Sequence, residues 1–236
     1  MIEIIKDMKN EPQSLQRFRA NPASDGTFKS YSKENSLSEL RVNLLKEQGY
    51  ICCYCMSSIN ISSANTIEKT KIEHYQARDG SRKVEVHYRN LYLACDGRKQ
   101  CSDNDKKYLD TYKSCRCKYK DGKSFLQHCD TCKGNRKLDY IKLDKITQDK
   151  IKYTSGGIIY SDDENIDYEL NHILNLNTDR LIANRKQAKS ALWKQLPKQK
   201  TWSANLIKKI LLKYKNSDKK PPYIGILLYF LNRKLP

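Results

Sequence analysis

Cysteine constrains this chain more than any other residue. Nine are present, and eight fall into four pairs: Cys52-x-x-Cys55 (with Cys53 inside it), Cys95 and Cys101, Cys115-x-Cys117, and Cys129-x-x-Cys132. Whether such thiols become disulfides or metal ligands depends on redox compartment. Met1 to Asn10 has no sustained apolar core followed by a small-residue cleavage site, so it does not read as a signal peptide. No run approaches the roughly 20 apolar residues that a spanning helix needs. These features point to the cytoplasm, where thiols stay reduced. The odd count also argues against a closed disulfide set. Metal binding is therefore the expected use.

Thiolates close in sequence can hold zinc from one turn, and two such pairs complete a tetrahedron. By spacing, Cys52, Cys55, Cys95 and Cys101 form one quartet, although its C-x5-C half is looser than usual. Cys115, Cys117, Cys129 and Cys132 form a second, in which one tight pair follows another after an eleven-residue loop. Cys53 is left over, and His128 could replace a thiolate in either set. The expected structural cofactor is Zn²⁺, one or two ions. No thioredoxin-like βαβ pattern surrounds the pairs, which disfavours a redox role.

The 236 residues carry 45 Lys and Arg against 27 Asp and Glu, a formal net charge of +18. Such an excess says nothing about fold but points to a polyanionic partner, because basic groups placed on phosphates release counterions. Nucleic acid is the expected partner, and a membrane is not.

Local signals divide the chain. Residues 1–50 read as an irregular segment, broken by Pro12, Asn21-Pro22 and Asp25-Gly26, followed by a helix from about Leu37 to Gln48. Ser36 and Glu39 suggest a capping box for that helix, and Gly49 ends it. Short strands are expected near Thr70 to His74 and Leu91 to Cys95, with a loop over 76–87 and a short helix from about Asp103 to Tyr112. Residues 115–136 show neither helical nor strand period. Residues 137–236 hold no cysteine and read as mainly helical, with a last helix capped by Thr201 or Ser203 and stopped by Pro221-Pro222.

Between the halves of the first cysteine set lie Glu73-His74 and Asn90-Leu91, and Cys101 is followed by Asp103, Asn104 and Lys106. Alone, Glu-His is an ordinary exposed dipeptide. The order C-x-x-C, E-H, N-L, C, C, acidic or amide, K resembles the zinc-containing HNH endonuclease motif. The flanking segments Gln48 to Cys55, Ile72-Glu73-His74, Asn90 to Cys95, Leu174-Asn175-Leu176-Asn177 and Asn184-Arg185-Lys186 resemble the HNH nuclease of Septu and retron anti-phage systems, the PtuB family.

The resemblance implies an α+β fold. Residues 51–114 would be a zinc-containing ββα-metal (HNH) nuclease core, 115–136 a second zinc-binding insertion, and 137–236 a helical C-terminal region available for partner docking. It implies His74 as general base, Asn90 as the brace of the loop bearing the base, and Glu73 as ligand of a catalytic Mg²⁺ or Mn²⁺. Family members carry His, Asn or Asp directly after the last cysteine and three residues before a lysine. After Cys101 that slot is Ser102. Counting back from Lys106 gives Asp103, and from Lys107 gives Asn104; Asp103 is preferred. Arg98, Lys99, Lys106 and Lys107 are the nearby candidates for nucleic-acid contact. A partner ATPase of the PtuA type is implied, joined in retron versions by a reverse transcriptase and its RNA–DNA product.

The residue types suit phosphodiester hydrolysis, on DNA or on RNA including tRNA. Neutral imidazole is available near neutral pH, its reference pKa being about 6.5, and can take a proton from water. A hard cation can neutralise the charge growing on phosphorus and on the leaving oxygen. Two alternatives stay open: a non-catalytic zinc module that binds nucleic acid as an adaptor, and a protein-interaction scaffold with purely structural zinc.

Overall fold

The computed structural model describes residues 1–61, 70–77, 82–100, 118–120, 123–145, 148–197 and 202–235. It is a mixed α+β structure of helices and small antiparallel sheets.

The N-terminal segment is helical rather than irregular. Helices α1 (Gln13–Ala20) and α2 (Phe28–Glu34) follow a short 3-10 turn, Met8–Asn10. The breaker residues mark ends, not absence of structure. Pro12 is the N-cap of α1, and Asn21-Pro22 and Asp25-Gly26 fall in the turn between the two helices. Thr27 caps α2 through a hydrogen bond from Ser30 N at 3.2 Å. Leu15, Phe18, Phe28 and Tyr31 are buried, with Tyr31 ringed by both phenylalanines.

Helix α3 (Ser38–Glu47) forms where expected and buries Leu40, Leu44 and Leu45. Its capping box does not form: Leu37 is the N-cap, and Ser36 Oγ reaches only Ser38. Gly49, at φ +66°, ends the helix in the left-handed conformation that glycine adopts without strain.

Strands β1 (Thr70–His74) and β2 (Leu91–Cys95) pair antiparallel with His74 opposite Leu91 and Thr70 opposite Cys95. Between them the expected loop contains one helical turn, α4 (Arg82–Glu85). The stretch 115–136, expected to lack regular structure, contributes to a second sheet. Strands β3 (Arg98–Gln100), β4 (Lys118–Lys120) and β5 (Lys123–Gln127) lie in the order β3-β5-β4, with Arg98 opposite Gln127. Helix α5 (Asp130–Lys133) follows directly. Residues 103–112, expected to be helical, lie outside the described residues.

The rest is a hairpin, β6 (Lys152–Tyr153) with β7 (Ile159–Tyr160), and four helices among the described residues: α6 (Glu164–Tyr168), which runs into a π-helical turn (Glu169–Ile173), α7 (Asp179–Gln195), α8 (Ala204–Asn216) and α9 (Ile224–Asn232). Ser203 caps α8 as expected, but the helix ends at Asn216, before Pro221-Pro222. Buried Arg185 of α7 clasps the hairpin, donating from Nε to Gly157 O at 2.6 Å and from Nη2 to Asn177 Oδ1 at 2.9 Å.

Much of the C-terminal apolar run packs into the core. Ile224, Ile226, Leu227 and Leu231 are buried against α7, α8 and the hairpin. Tyr223 N donates to Met56 O at 2.7 Å and Lys220 N to Gly49 O at 2.9 Å, stitching the tail to the cysteine turn. No helix among the described residues is long and apolar enough to cross a membrane.

Candidate metal centre and active site

The cysteine turn is held by two reciprocal devices. Cys52 N donates to Ser57 O at 2.9 Å and Met56 N to Cys52 O at 3.1 Å, closing a tight loop in which Met56 takes φ +60°. The buried Gln48 amide then fixes this loop to β2. Its Nε2 donates to Leu93 O at 2.7 Å and to Ile51 O at 2.9 Å, and its Oε1 accepts from Leu93 N at 2.6 Å. A side chain thus performs the pairing that a neighbouring strand would supply.

Cys52, Cys55, Cys95 and Cys129 come together, their sulfurs all within 4.8 Å of one another. The Cys52–Cys129 and Cys55–Cys95 separations are 3.9 and 3.8 Å. A tetrahedron with Zn–S bonds of about 2.3 Å requires S···S spacings of about 3.8 Å. The four could therefore hold a structural metal such as zinc. Cys95 N donates to Cys52 Sγ at 3.3 Å and Ser57 N to Cys55 Sγ at 3.5 Å, contacts suited to thiolates. Burial opposes ionisation of Cys52, but hydrogen bonds from the neighbouring sulfurs outweigh it and hold its pKa well below the ordinary thiol value. Burial, then the same neighbours, push Cys129 well above it. Without a cation one thiolate suppresses the others; a divalent ion relieves that conflict.

This quartet differs from the sorting by spacing: Cys129 stands with Cys52, Cys55 and Cys95, while the sulfur of Cys132, on α5, lies 3.5 Å from Nη2 of Arg136. The reason is the β3–β5 pairing. Arg98 opposite Gln127 loops out the chain between them and returns Cys129 beside Cys95. His128 N donates to Gly97 O at 2.8 Å and Cys129 N to Leu174 O at 2.8 Å, fixing Cys129 at φ +57°. Gly97 is required here, since a Cβ would sit 2.1 Å from His128 O. His128 Nδ1 lies 3.1 Å from Cys129 Sγ, beside the quartet; burial is the main reason its pKa falls to about 4. Cys53 is buried and outside the quartet, as expected. Cys101, Cys115 and Cys117 lie outside the described residues.

At the far end of β1, Glu73 and His74 face a cavity of about 450 Å³ that is also lined by Arg41, Lys71, Asp130 and Asn135. Glu73 is fully enclosed. Its Oε1 accepts from Tyr54 OH and from Lys133 Nζ, both at 2.7 Å, while Oε2 is engaged by neither. Burial, then a hydrogen bond and charge from Asp130, raise the Glu73 pKa to about 8 against the opposing pull of Lys133. Glu73 and Asp130 thus bring two carboxyl groups to one cavity, oxygen donors of the kind a hard divalent cation takes. Asp130 is also 3.6 Å from Lys71 Nζ.

The His74 ring packs edge-on against Phe28, centroids 4.7 Å apart, and Lys133 Nζ donates to His74 O at 3.0 Å. Buried Asn90 braces the chain that follows. Its Oδ1 accepts from Gln76 N at 2.7 Å, and its Nδ2 donates to Gln76 O and Val84 O at 3.1 and 3.2 Å.

Asp103, Asn104, Lys106 and Lys107 lie outside the described residues, and Arg98 and Lys99 are placed only as backbone in β3. Asp130, which the sequence does not single out, lines the same cavity; it directly follows Cys129 and stands three residues before Lys133. No family model matches the chain, and no curated protein matches it at a significant level.

Proposed function

We propose that this chain is a metal-dependent HNH endonuclease that hydrolyses phosphodiester bonds in DNA or RNA, tRNA included. The observation that carries the proposal is the meeting of Glu73, His74 and Asp130 in one cavity. In this reading β1, β2 and α5 are the two strands and helix of a ββα-metal unit, and the cysteine quartet locks them together through zinc. The β3–β5 sheet is an insertion between second strand and helix.

His74 is the general base that takes a proton from the attacking water, held by Phe28 and by Asn90's grip on the next residues. Glu73 and Asp130 would hold Mg²⁺ or Mn²⁺, which supplies charge neutralisation at the phosphate and leaving oxygen. Lys133 and Tyr54 orient Glu73 through Oε1. The net charge of +18 suits a polyanionic substrate. The resemblance to the Septu and retron nucleases supports a role as toxic effector of an anti-phage system in the cytoplasm, restrained by a partner ATPase of the PtuA type and, in retron versions, a reverse transcriptase with its RNA–DNA product.

The test is cleavage of plasmid DNA and of structured RNA by purified protein with Mg²⁺ or Mn²⁺. His74→Ala should abolish it while thermal unfolding stays near that of the unaltered protein. A folded His74→Ala protein that cuts at the normal rate removes the base assignment.

A further inference from the structure

We propose that Arg41 is a positioning residue that holds a backbone phosphate of the substrate beside the cavity. The inference rests on the nuclease reading and adds to it a phosphate site that the motif does not contain.

Arg41 projects from α3, whose Leu40, Leu44 and Leu45 anchor the helix in the core. Its Nη1 donates to Thr70 O at 3.1 Å and Thr70 Oγ1 at 2.8 Å, so the guanidinium is tethered at the start of β1, half-buried and on the wall of the cavity that holds Glu73, His74 and Asp130. Two of its five donors' worth of bonding is thereby used. No carboxylate among the described residues forms an ion pair with it. Lys71, the next cation on the same wall, is already committed to Asp130 and to Thr131 Oγ1 at 2.8 Å.

A partly desolvated cation with no counter-charge calls for an anion, and the planar guanidinium fork matches phosphate oxygens. Thr70 lies four residues before His74 on an extended strand, about 13 Å at ~3.3 Å per residue. Arg41 therefore meets a phosphate flanking the one that reacts, and it sets the path of the strand rather than the chemistry.

Binding of a short DNA duplex and of a structured RNA to the cleavage-inactive His74→Ala protein, followed over a salt series, tests this. Adding Arg41→Gln should weaken binding roughly tenfold at low salt and reduce the slope of log K against log salt by about one. Arg41→Lys, which keeps the charge, should preserve the slope. With His74 restored, Arg41→Gln should raise KM about tenfold with kcat kept within a few-fold. A structural role alone would leave the salt slope unmoved. A folded Arg41→Gln protein with an unchanged slope overturns the proposal. So does an equal loss of slope in Arg41→Lys, or absence of binding to both probes. If the unaltered protein binds with an Arg41-dependent slope but never cuts, the nuclease reading falls and the phosphate site stands.

Discussion

Replacing Cys129 with serine tests which thiolate closes the quartet. The structure places its sulfur 3.9 Å from Cys52 Sγ, a tetrahedral-edge distance. Structural zinc supplies about 10–16 kcal/mol of apparent folding free energy, and an even share for one of four ligands is about 2.5–4 kcal/mol. That share corresponds to a roughly 10²- to 10³-fold loss of zinc affinity. At about 2–4 °C per kcal/mol for a chain of this size, the melting temperature should fall by roughly 5–15 °C. Cys129 joins the loop before α5 to a turn that lies 77 residues earlier, so the loss should spread to both β1 and α5. Competition with a calibrated chelator gives the affinity, and calorimetry gives the melting temperature. Cys101→Ser provides the comparison: the quartet is complete without it, so the affinity of this site should stay within a few-fold. If Cys129→Ser keeps its zinc affinity while Cys101→Ser loses it, the quartet is wrong and the sorting by spacing is right.

Gly97→Ala should cost about 2–4 kcal/mol, because the new Cβ meets the His128 carbonyl and the residue needs φ +63°. The zinc affinity should drop with it, and a variant as stable as the parent in denaturant titration would speak against the closure at Gly97–His128. Mn²⁺ affinity should rise with pH. The Glu73 pKa is raised from 4.5 to about 8, so near neutrality the folded protein holds a proton that the cation must displace. Apparent log K should climb by about one per pH unit up to about pH 8 and then level off. In the metal-free protein the same shift makes stability fall as pH rises from 4.5 to about 8, where the buried carboxyl becomes charged. Titration calorimetry that finds Mn²⁺ affinity flat across this range would refute a Glu73 that must lose a proton to bind the ion.

Local patterns were legible where side chains alternate or repeat against a single partner. The strands Thr70–His74 and Leu91–Cys95 and the helix carrying Leu40, Leu44 and Leu45 form where their residues predict. So does the Ser203 cap of α8. The N-terminal helices were hidden because Pro12, Asn21-Pro22 and Asp25-Gly26 outweigh two short apolar stripes in a reading by breakers. What the tail packs against was not legible, because a sequence shows an apolar run but not what covers it. The place of Cys129 was not legible for a topological reason. Ligand spacing assumes that thiols close in sequence serve one ion, whereas the antiparallel pairing of β3 with β5 brings Cys129 to Cys95. A long-range pairing of this kind leaves no periodic trace, and in the proposed nuclease it makes Asp130 rather than Asp103 the third candidate ligand. The buried Gln48 and Lys133 were invisible for a related reason, since each is set by backbone or carboxyl partners distant in sequence.

The most direct measurement is the divalent-metal dependence of nucleic-acid cleavage for the unaltered protein, Asp130→Ala and Asp103→Ala side by side, with zinc content and folding checked for each. The account predicts metal-dependent cutting by the unaltered protein and by Asp103→Ala at similar Mn²⁺ concentrations. It predicts that Asp130→Ala will keep its zinc and its fold but cut at least about 100-fold more slowly, as expected when a metal ligand is lost. Full activity in Asp130→Ala, or its loss in Asp103→Ala with the fold kept, would contradict it.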